Sequence, residues 1–221
     1  MTYFVTGTDT DCGKTLVSSA LLTAVKGETV GFKPVASGCE NTEQGLRNSD
    51  ALALMAASSI KLPYDDINPF AFAAAIAPHI AAAEQSVTLS PTRIQAQLNM
   101  AHHLGADFVV VEGAGGWRLP LGDGHYMSEV VQAMKLPVIL VVGMKLGCLN
   151  HALLTVEAIE RDGLVIAGWV ANQVDSQMDN QLENLASLQQ MISAPFLGHI
   201  PHLENPTAEK AAEHIDVSLL A

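Results

Sequence analysis

The chain has 221 residues, of which 49% are apolar and 15% charged, a composition suited to a packed core rather than to disorder. Eleven basic residues against 23 acidic ones leave a formal charge of −12, which disfavours a broad nucleic-acid surface or an anionic membrane but not a small anionic ligand held by a few local cations. Cys12, Cys39 and Cys148 make neither a disulfide framework nor a zinc motif, the N-terminus lacks a signal-peptide pattern, and no apolar run reaches the ~18 residues of a membrane span, so the expectation is a cytoplasmic protein with no membrane or nucleic-acid partner.

The pattern alternates short apolar runs with helical stretches. Residues 3–6 read as a strand ending in a glycine turn. Leu16, Val17, Ala20, Leu21 and Ala24 recur at helical spacing over residues 14–25. A second strand is expected at 29–33, and a helix opened by Ser49 or Asp50 through Met55. The stretch between Pro63 and Pro78 carries no pattern that assigns its organisation. Ser90-Pro91 starts a helix reaching about Leu104. Strands at 108–111 and 138–142 are apolar without alternation, as in parallel sheets covered on both faces. A helix at 149–160, a strand at 165–170, a helix at 181–191 and a strand at 196–200 complete the series. This order predicts one doubly wound α/β domain over residues 1–221, with a mostly parallel sheet flanked by helices.

The strongest local signal is Gly7-Thr8-Asp9-Thr10-Asp11-Cys12-Gly13-Lys14-Thr15, placed between the first strand and the first helix. This is the position of a phosphate-binding P-loop. Backbone amides and the helix N-terminus would face phosphate oxygens, Lys14 would neutralise the terminal phosphates, and the Thr15 hydroxyl would ligate Mg²⁺. The usual pattern has four residues between its glycines; here five lie between Gly7 and Gly13. Cys12 reads as a small space-filling residue within that loop.

A metal–nucleotide site also needs oxygen ligands for Mg²⁺. Glu112 closes the apolar strand ahead of Gly113-Ala114-Gly115-Gly116, where ligands bind in open α/β sheets. Asp50 is a second carboxylate, although spacing alone favours a helix N-cap there. Lys33 ends the second strand and would face the same crevice, where it could stabilise charge on a transferring phosphoryl group; a solvated strand-end lysine is the alternative. The free amides of 145–150, ahead of a helix, could receive a carboxylate, though capping explains Asn150 equally well. His102-His103 and His125 have no metal-like spacing. His79, Trp117 and Trp169 read as packing residues.

GTDTDCGKT, KPVASG, NSDALAL, VEGAGG, VILVVGMKLGCLNHALLT and GWVAN occur in that order. Together they closely resemble the dethiobiotin synthetase family, from Tyr3 to about Asn172, with a looser match through Pro201. The resemblance implies a P-loop NTPase-type fold and an ATP-dependent cyclo-ligase of biotin biosynthesis. In that reaction 7,8-diaminononanoate takes up CO₂ as a carbamate, MgATP phosphorylates it, and the second amine closes a ureido ring with release of phosphate. It implies that Lys14 and Lys33 are catalytic, and that Thr15, Asp50 and Glu112 hold Mg²⁺. Thr10, Asp11, Cys12, Gly13 and Leu16 would line the nucleotide together with Gly113, Ala114 and Gly115. Asn172 and Gln173, with backbone at Pro201, His202 and Leu203, would read adenine. Ser37, with Thr10 and Lys33, would contact the diamine, and Gly147 and Asn150 would meet its carboxylate across a homodimer interface. Two other readings of the same motifs remain open: a partitioning or regulatory ATPase switch, and an amide-forming ligase acting on a larger acid.

Overall fold

The computed structural model describes residues 1–99 and 104–220. Strand β1 (Thr2–Gly7) leads into helix α1 (Lys14–Ala24) and then β2 (Thr29–Phe32). Short elements follow: β3 (Val35–Ala36), the β4 (Glu40–Thr42) and β5 (Gly45–Arg47) hairpin, α2 (Ser49–Ala57), α3 (Tyr64–Ile67), β6 (Phe70–Ala71), α4 (Pro78–Glu84) and α5 (Pro91–Leu98). The second half runs through β7 (Phe108–Gly116), a β8 (Pro120–Gly122) and β9 (His125–Tyr126) hairpin, α6 (Met127–Met134), β10 (Val138–Gly143), α7 (Cys148–Arg161), β11 (Ile166–Asn172), α8 (Gln181–Met191), β12 (Phe196–Ile200) and α9 (Ala208–Ala212).

Six strands form one sheet in the order β12-β11-β10-β1-β7-β2, and every pairing is parallel. The expected doubly wound α/β architecture is therefore present. The unbroken apolar runs have a simple cause. Phe4, Val109, Val111, Val138, Leu140 and Val142 bury into the cluster on one face, whereas Tyr3, Val5, Phe108, Val110, Ile139 and Val141 bury into the other. Side chains alternate between two covered faces, so neither set can be polar. Helix α1 covers the second face through Val17, Leu21 and Leu22, joined by Ala211 of α9.

The topology sets the functional crevice. The chain leaves β1 towards β2 and β7 on one side, then crosses back to β10, β11 and β12 on the other. Loops at the C-terminal ends of β1, β7 and β10 therefore part at this reversal, where open α/β sheets bind ligands. No helix among the described residues is long and apolar enough to cross a membrane.

Several boundaries differ from expectation. The fifth helix, expected to reach Leu104, is described only through Leu98; His102 and His103 lie outside the described residues. Strand β7 runs on to Gly116, so Glu112 sits within the strand instead of closing it. Its glycines belong to the strand rather than to a loop, with Gly115 left-handed at φ 60 where the register with β1 shifts. Helices α3, α4, α6 and α9 and the small hairpins went unread, because each is shorter than a clear periodic signal needs. Both tryptophans do pack: Trp169 is buried against Phe196, and Trp117 donates from Nε1 to Asp162 at 2.8 Å.

Candidate active site

The loop between β1 and α1 wraps the start of the helix. Gly13 takes φ +88 at the N-cap of α1, and a Cβ there would come within 2.0 Å of Asn172 Nδ2. Glycine satisfies both the left-handed backbone and the close approach. Asp11 is also left-handed, at φ 57. Cys12 is buried, and a Cβ on Gly7 would meet its sulfur at 2.1 Å, so the thiol fills space at the base of the loop as expected. Asn172 Nδ2 donates to the Cys12 carbonyl at 3.0 Å, tying the end of β11 to the loop. Outside, Lys145 Nζ lies 3.0 Å from Asp9 Oδ2, and Gly143 N donates to Thr8 Oγ1 at 3.3 Å. The longer loop is thus held from the β10 and β11 side. Lys14 Nζ donates to the Asp9 carbonyl at 2.9 Å.

Lys33 stands just past β2 and points inward. Its Nζ donates to Asp50 Oδ2 at 2.8 Å, Glu112 Oε1 at 2.6 Å and the Gly113 carbonyl at 3.1 Å. All three ammonium protons are used. The Lys33 side chain is 4% exposed, so the solvated strand-end reading is overturned. Burial alone would pull the ammonium's pKa down, but attraction from Glu112 and Asp50 outweighs it and holds the group above its ordinary value. Asp50 responds in kind. Burial would raise its pKa, yet Lys33 beside it sets a net depression. The N-cap of α2 is Asn48, whose side chain accepts from Ala51 N at 3.2 Å. Asp50 is therefore not the cap, and its carboxylate is free to face Lys33.

Thr15 Oγ1 donates to Glu112 Oε1 at 2.8 Å. Glu112 is fully buried, and its second oxygen, Oε2, has no hydrogen-bond partner among the described residues. An orphaned carboxylate oxygen of this kind calls for a cation or water. The donor set of two carboxylates and a hydroxyl is all oxygen and suits Mg²⁺. No group of three or more His, Cys, Asp or Glu side chains among the described residues could hold a metal alone; phosphate oxygens and water would complete the shell, as is usual for Mg²⁺ at nucleotides.

A cleft of about 860 Å³ opens over this cluster. Thr10, Asp11, Gly13, Lys14, Thr15, Lys33, Ser37, Asp50, Ala114 and Gly115, all named from the sequence, line it. Ala36, Asn48, the segment from Ala75 to Pro78, and Leu119 complete the wall and are not among the site residues the sequence singled out. The apolar segment carries no motif; only folding of the 70–78 stretch against β3 brings it there, through Gly38 N to Ala74 O and Cys39 N to Phe72 O. Leu16 faces a second depression of about 300 Å³, shared with Thr15, Ser19 and Pro206. Gln173 Oε1 accepts from His202 N at 3.1 Å, which gathers the loop after β12, with Pro201 and Leu203, beside Asn172. Gly147 and Asn150 are exposed and lie outside the cleft. Gly147, left-handed, is the N-cap of α7, and the Asn150 side chain does not cap it.

The chain is similar to several known proteins. A family profile described as an AAA domain matches residues 1–210. A Cellvibrio japonicus protein named ATP-dependent dethiobiotin synthetase BioD is 53% identical over 221 residues, covering 99% of this chain and 96% of its own. A Pseudomonas aeruginosa protein of the same name is 51% identical over 218 residues, covering 97% and 96%. Escherichia coli K12 BioD 1 is 50% identical over 222 residues, covering 99% and 98%. Among solved structures, a ParA family ATPase from Chlorobium tepidum aligns with TM-score 0.56 at 14% identity, covering 95% of this chain and 87% of its own. The MinC:MinD cell division complex of Aquifex aeolicus gives 0.54 at 13%, covering 99% and 88%. The last two likenesses concern the fold alone.

Proposed function

We propose a residue-level mechanism from the premise that the chain belongs to the ATP-dependent dethiobiotin synthetase family. The protein is an ATP-dependent cyclo-ligase of biotin biosynthesis acting on 7,8-diaminononanoate and CO₂. The full-length matches at about 50% identity leave the partitioning-ATPase reading without support.

In our reading the triphosphate lies along the loop from Thr10 to Leu16, at the N-terminus of α1, where backbone amides and the helix dipole receive it. Lys14 then exchanges the Asp9 carbonyl for phosphate oxygens. Thr15, Asp50 and Glu112 would hold Mg²⁺, which in such sites neutralises charge on the transferring phosphate. Asn172 and Gln173, with the 201–203 loop, would receive adenine, since an amide side chain both donates and accepts. Gly113, Ala114 and Gly115 would flank the phosphates along β7.

The diamine would lie beside Ser37 and Thr10. One amine adds CO₂ and loses a proton to give a carbamate. A carbamate oxygen attacks the γ-phosphorus, ADP leaves, and a carbamoyl phosphate forms. The second amine attacks the carbonyl carbon, phosphate leaves with the bonding electrons, and the ureido ring closes. Lys33 stabilises negative charge as it moves between phosphate and carbamate. Holding both amines on one chain supplies the proximity that ring closure needs. The single observation carrying this reading is the convergence of Lys14, Thr15, Lys33 and Asp50 on one cleft.

The carboxylate end of the diamine would be met by Gly147 and Asn150 of a second copy, so we propose a homodimer. Leu146, just before α7, is 95% exposed and Leu154, midway along it, 56%; those exposed apolar side chains, near residues a single chain leaves outside its cleft, are what supports it. A cytoplasmic location fits a biosynthetic enzyme of this kind. The test is ADP release measured with diaminononanoate and bicarbonate supplied separately and together. Turnover that ignores the diamine would defeat the reading. Sedimentation of Leu146→Asp against the parent checks the dimer: a shift to monomer is expected.

A further inference from the structure

Lys33 reaches two carboxylates at the base of the cleft. Its ammonium stands 2.8 Å from Asp50 Oδ2 and 2.6 Å from Glu112 Oε1. Glu112 Oε1 also accepts from Thr15 at 2.8 Å. These are the three side chains that the mechanism above assigns to Mg²⁺. One cation already sits among them.

A divalent ion would bind those oxygens at about 2.0–2.1 Å. An ammonium bonded to the same two carboxylates and a metal ion beside them would repel strongly in a buried site. Lys33 takes Asp50 Oδ2 and Glu112 Oε1 and leaves Glu112 Oε2 unpartnered among the described residues. A metal ion drawn to that oxygen would stand on the same carboxylate as the ammonium, and full contact of both cations with Asp50 and Glu112 is costly. Without any cation the fully buried Glu112 would be an uncompensated charge, which proteins avoid. The lysine therefore solves the problem of an acidic metal site in the unliganded protein.

We propose that Lys33 is the resting counter-ion of the metal site. It occupies the cation position before the metal nucleotide arrives and is displaced into the cleft when the metal takes over Asp50 and Glu112. Lys33 lines the cleft with Ala36 and Ser37; in this handover a change of its side-chain rotamer would carry the ammonium from the carboxylates towards the substrate space. The handover links two events. The positive charge that acts on the phosphoryl group is released only when metal and nucleotide are in place, and Asp50 and Glu112 are never both unpaired.

This inference rests on the assignment of Thr15, Asp50 and Glu112 to the metal, and the test separates the two. Mg²⁺ binding is measured by titration calorimetry with MgCl₂ alone, and thermal unfolding is followed in chelator and in MgCl₂, for the parent, Lys33→Met, Lys33→Arg and Asp50→Asn. Removing the competing charge in Lys33→Met should tighten Mg²⁺ binding about tenfold or more. Its melting temperature should fall in chelator and recover in MgCl₂ far more than the parent's changes. Lys33→Arg keeps the charge and should bind Mg²⁺ as weakly as the parent. Should Lys33→Met fold only in MgCl₂, that rescue supports the proposal; a variant that neither folds nor recovers with Mg²⁺ overturns it. Equal Mg²⁺ affinity in the parent and Lys33→Met, with Asp50→Asn weakened, overturns the handover but keeps the metal site. Unchanged affinity in Asp50→Asn removes the metal assignment itself, and the handover with it.

Discussion

Two lysine–carboxylate pairs flank the same phosphate loop, and they differ in almost everything but chemistry. Inside, Lys33 binds Asp50 and Glu112 with side chains 4%, 39% and 0% exposed. Outside, Lys145 meets Asp9 at 3.0 Å with side chains 39% and 45% exposed. The Lys145 ammonium is the first cause of a lowered Asp9 pKa, yet water screens the pair, and such contacts contribute about 0–1 kcal/mol. In the inner cluster Lys33 and Glu112 are shielded from water, with Asp50 alone of the three partly exposed, and neither buried member can lose its partner without stranding a charge. Charge near a phosphate loop therefore carries chemistry when burial removes the solvent, and otherwise mainly tethers the loop.

That contrast is open to attack in order of expected effect. Lys33→Ala should cut diaminononanoate-dependent ADP release by at least about 10²–10³-fold, the scale for losing a preorganised charge stabiliser. Nucleotide binding, followed by titration with a non-hydrolysable ATP analogue, should be largely kept because Lys14 remains. Wild-type-like turnover would remove Lys33 from the mechanism and erase the distinction between the pairs.

Glu112→Gln leaves Lys33 with one carboxylate in a buried site, and urea unfolding in chelator should show a loss of about 3 kcal/mol. Gly13→Ala forces a left-handed alanine, costing about 1–2 kcal/mol, and drives its Cβ to 2.0 Å from Asn172 Nδ2. Lower stability together with weaker ATP-analogue binding is expected there; a neutral result would deny that β11 holds the loop.

An intermediate case sharpens the comparison by pH. Asp162 accepts two bonds from Arg118, at 2.6 and 2.8 Å, with side chains 12% and 43% exposed. Burial would raise its pKa, but the bonds from Arg118 and Trp117 bring it below the ordinary value. A depressed carboxylate stabilises the fold fully above the unfolded value near 3.9 and loses that contribution as pH falls through the lower folded value. Asp162→Asn should flatten this acid limb of the stability profile by up to about 1 kcal/mol, discounted for the half-exposed arginine. The smallest effect belongs to the outer pair. Lys145→Ala should change stability by less than about 1 kcal/mol and the change should vanish in high salt. A double-mutant cycle with Asp9→Asn measures it; a coupling as large as that of the inner cluster would overturn the comparison.

Much of this site was legible in the residue string because P-loop chemistry places its parts at strand ends. Gly7 to Thr15 follow β1, Lys33 follows β2, and Asn172 ends β11. A parallel sheet brings those ends to one edge whatever the loops between them do. Asp50 was ambiguous from spacing, because an acidic residue at a helix start is a good cap until a neighbour is seen to do that job; here Asn48 does. In the sequence Glu112 reads as a strand terminus, since its following glycines look like a turn, but pairing with β1 carries the strand on to Gly116. The wall from Ala75 to Pro78 carries no motif of its own, because two alanines, an isoleucine and a proline announce no chemistry; only the family resemblance puts the Pro78-His79 stretch near the site.

The amino-acid sequence by itself determined the α/β architecture, the phosphate loop and the ligase family, because buried parallel strands and glycine-rich loops leave local patterns that few other structures produce. Tertiary structure alone decided that Lys33, Asp50 and Glu112, up to 79 positions apart, share one buried cluster, and that Gly147 and Asn150 stay outside the cleft of their own chain. Contacts of that separation depend on strand order and side-chain direction, which are properties of the packed sheet and not of any short stretch within it.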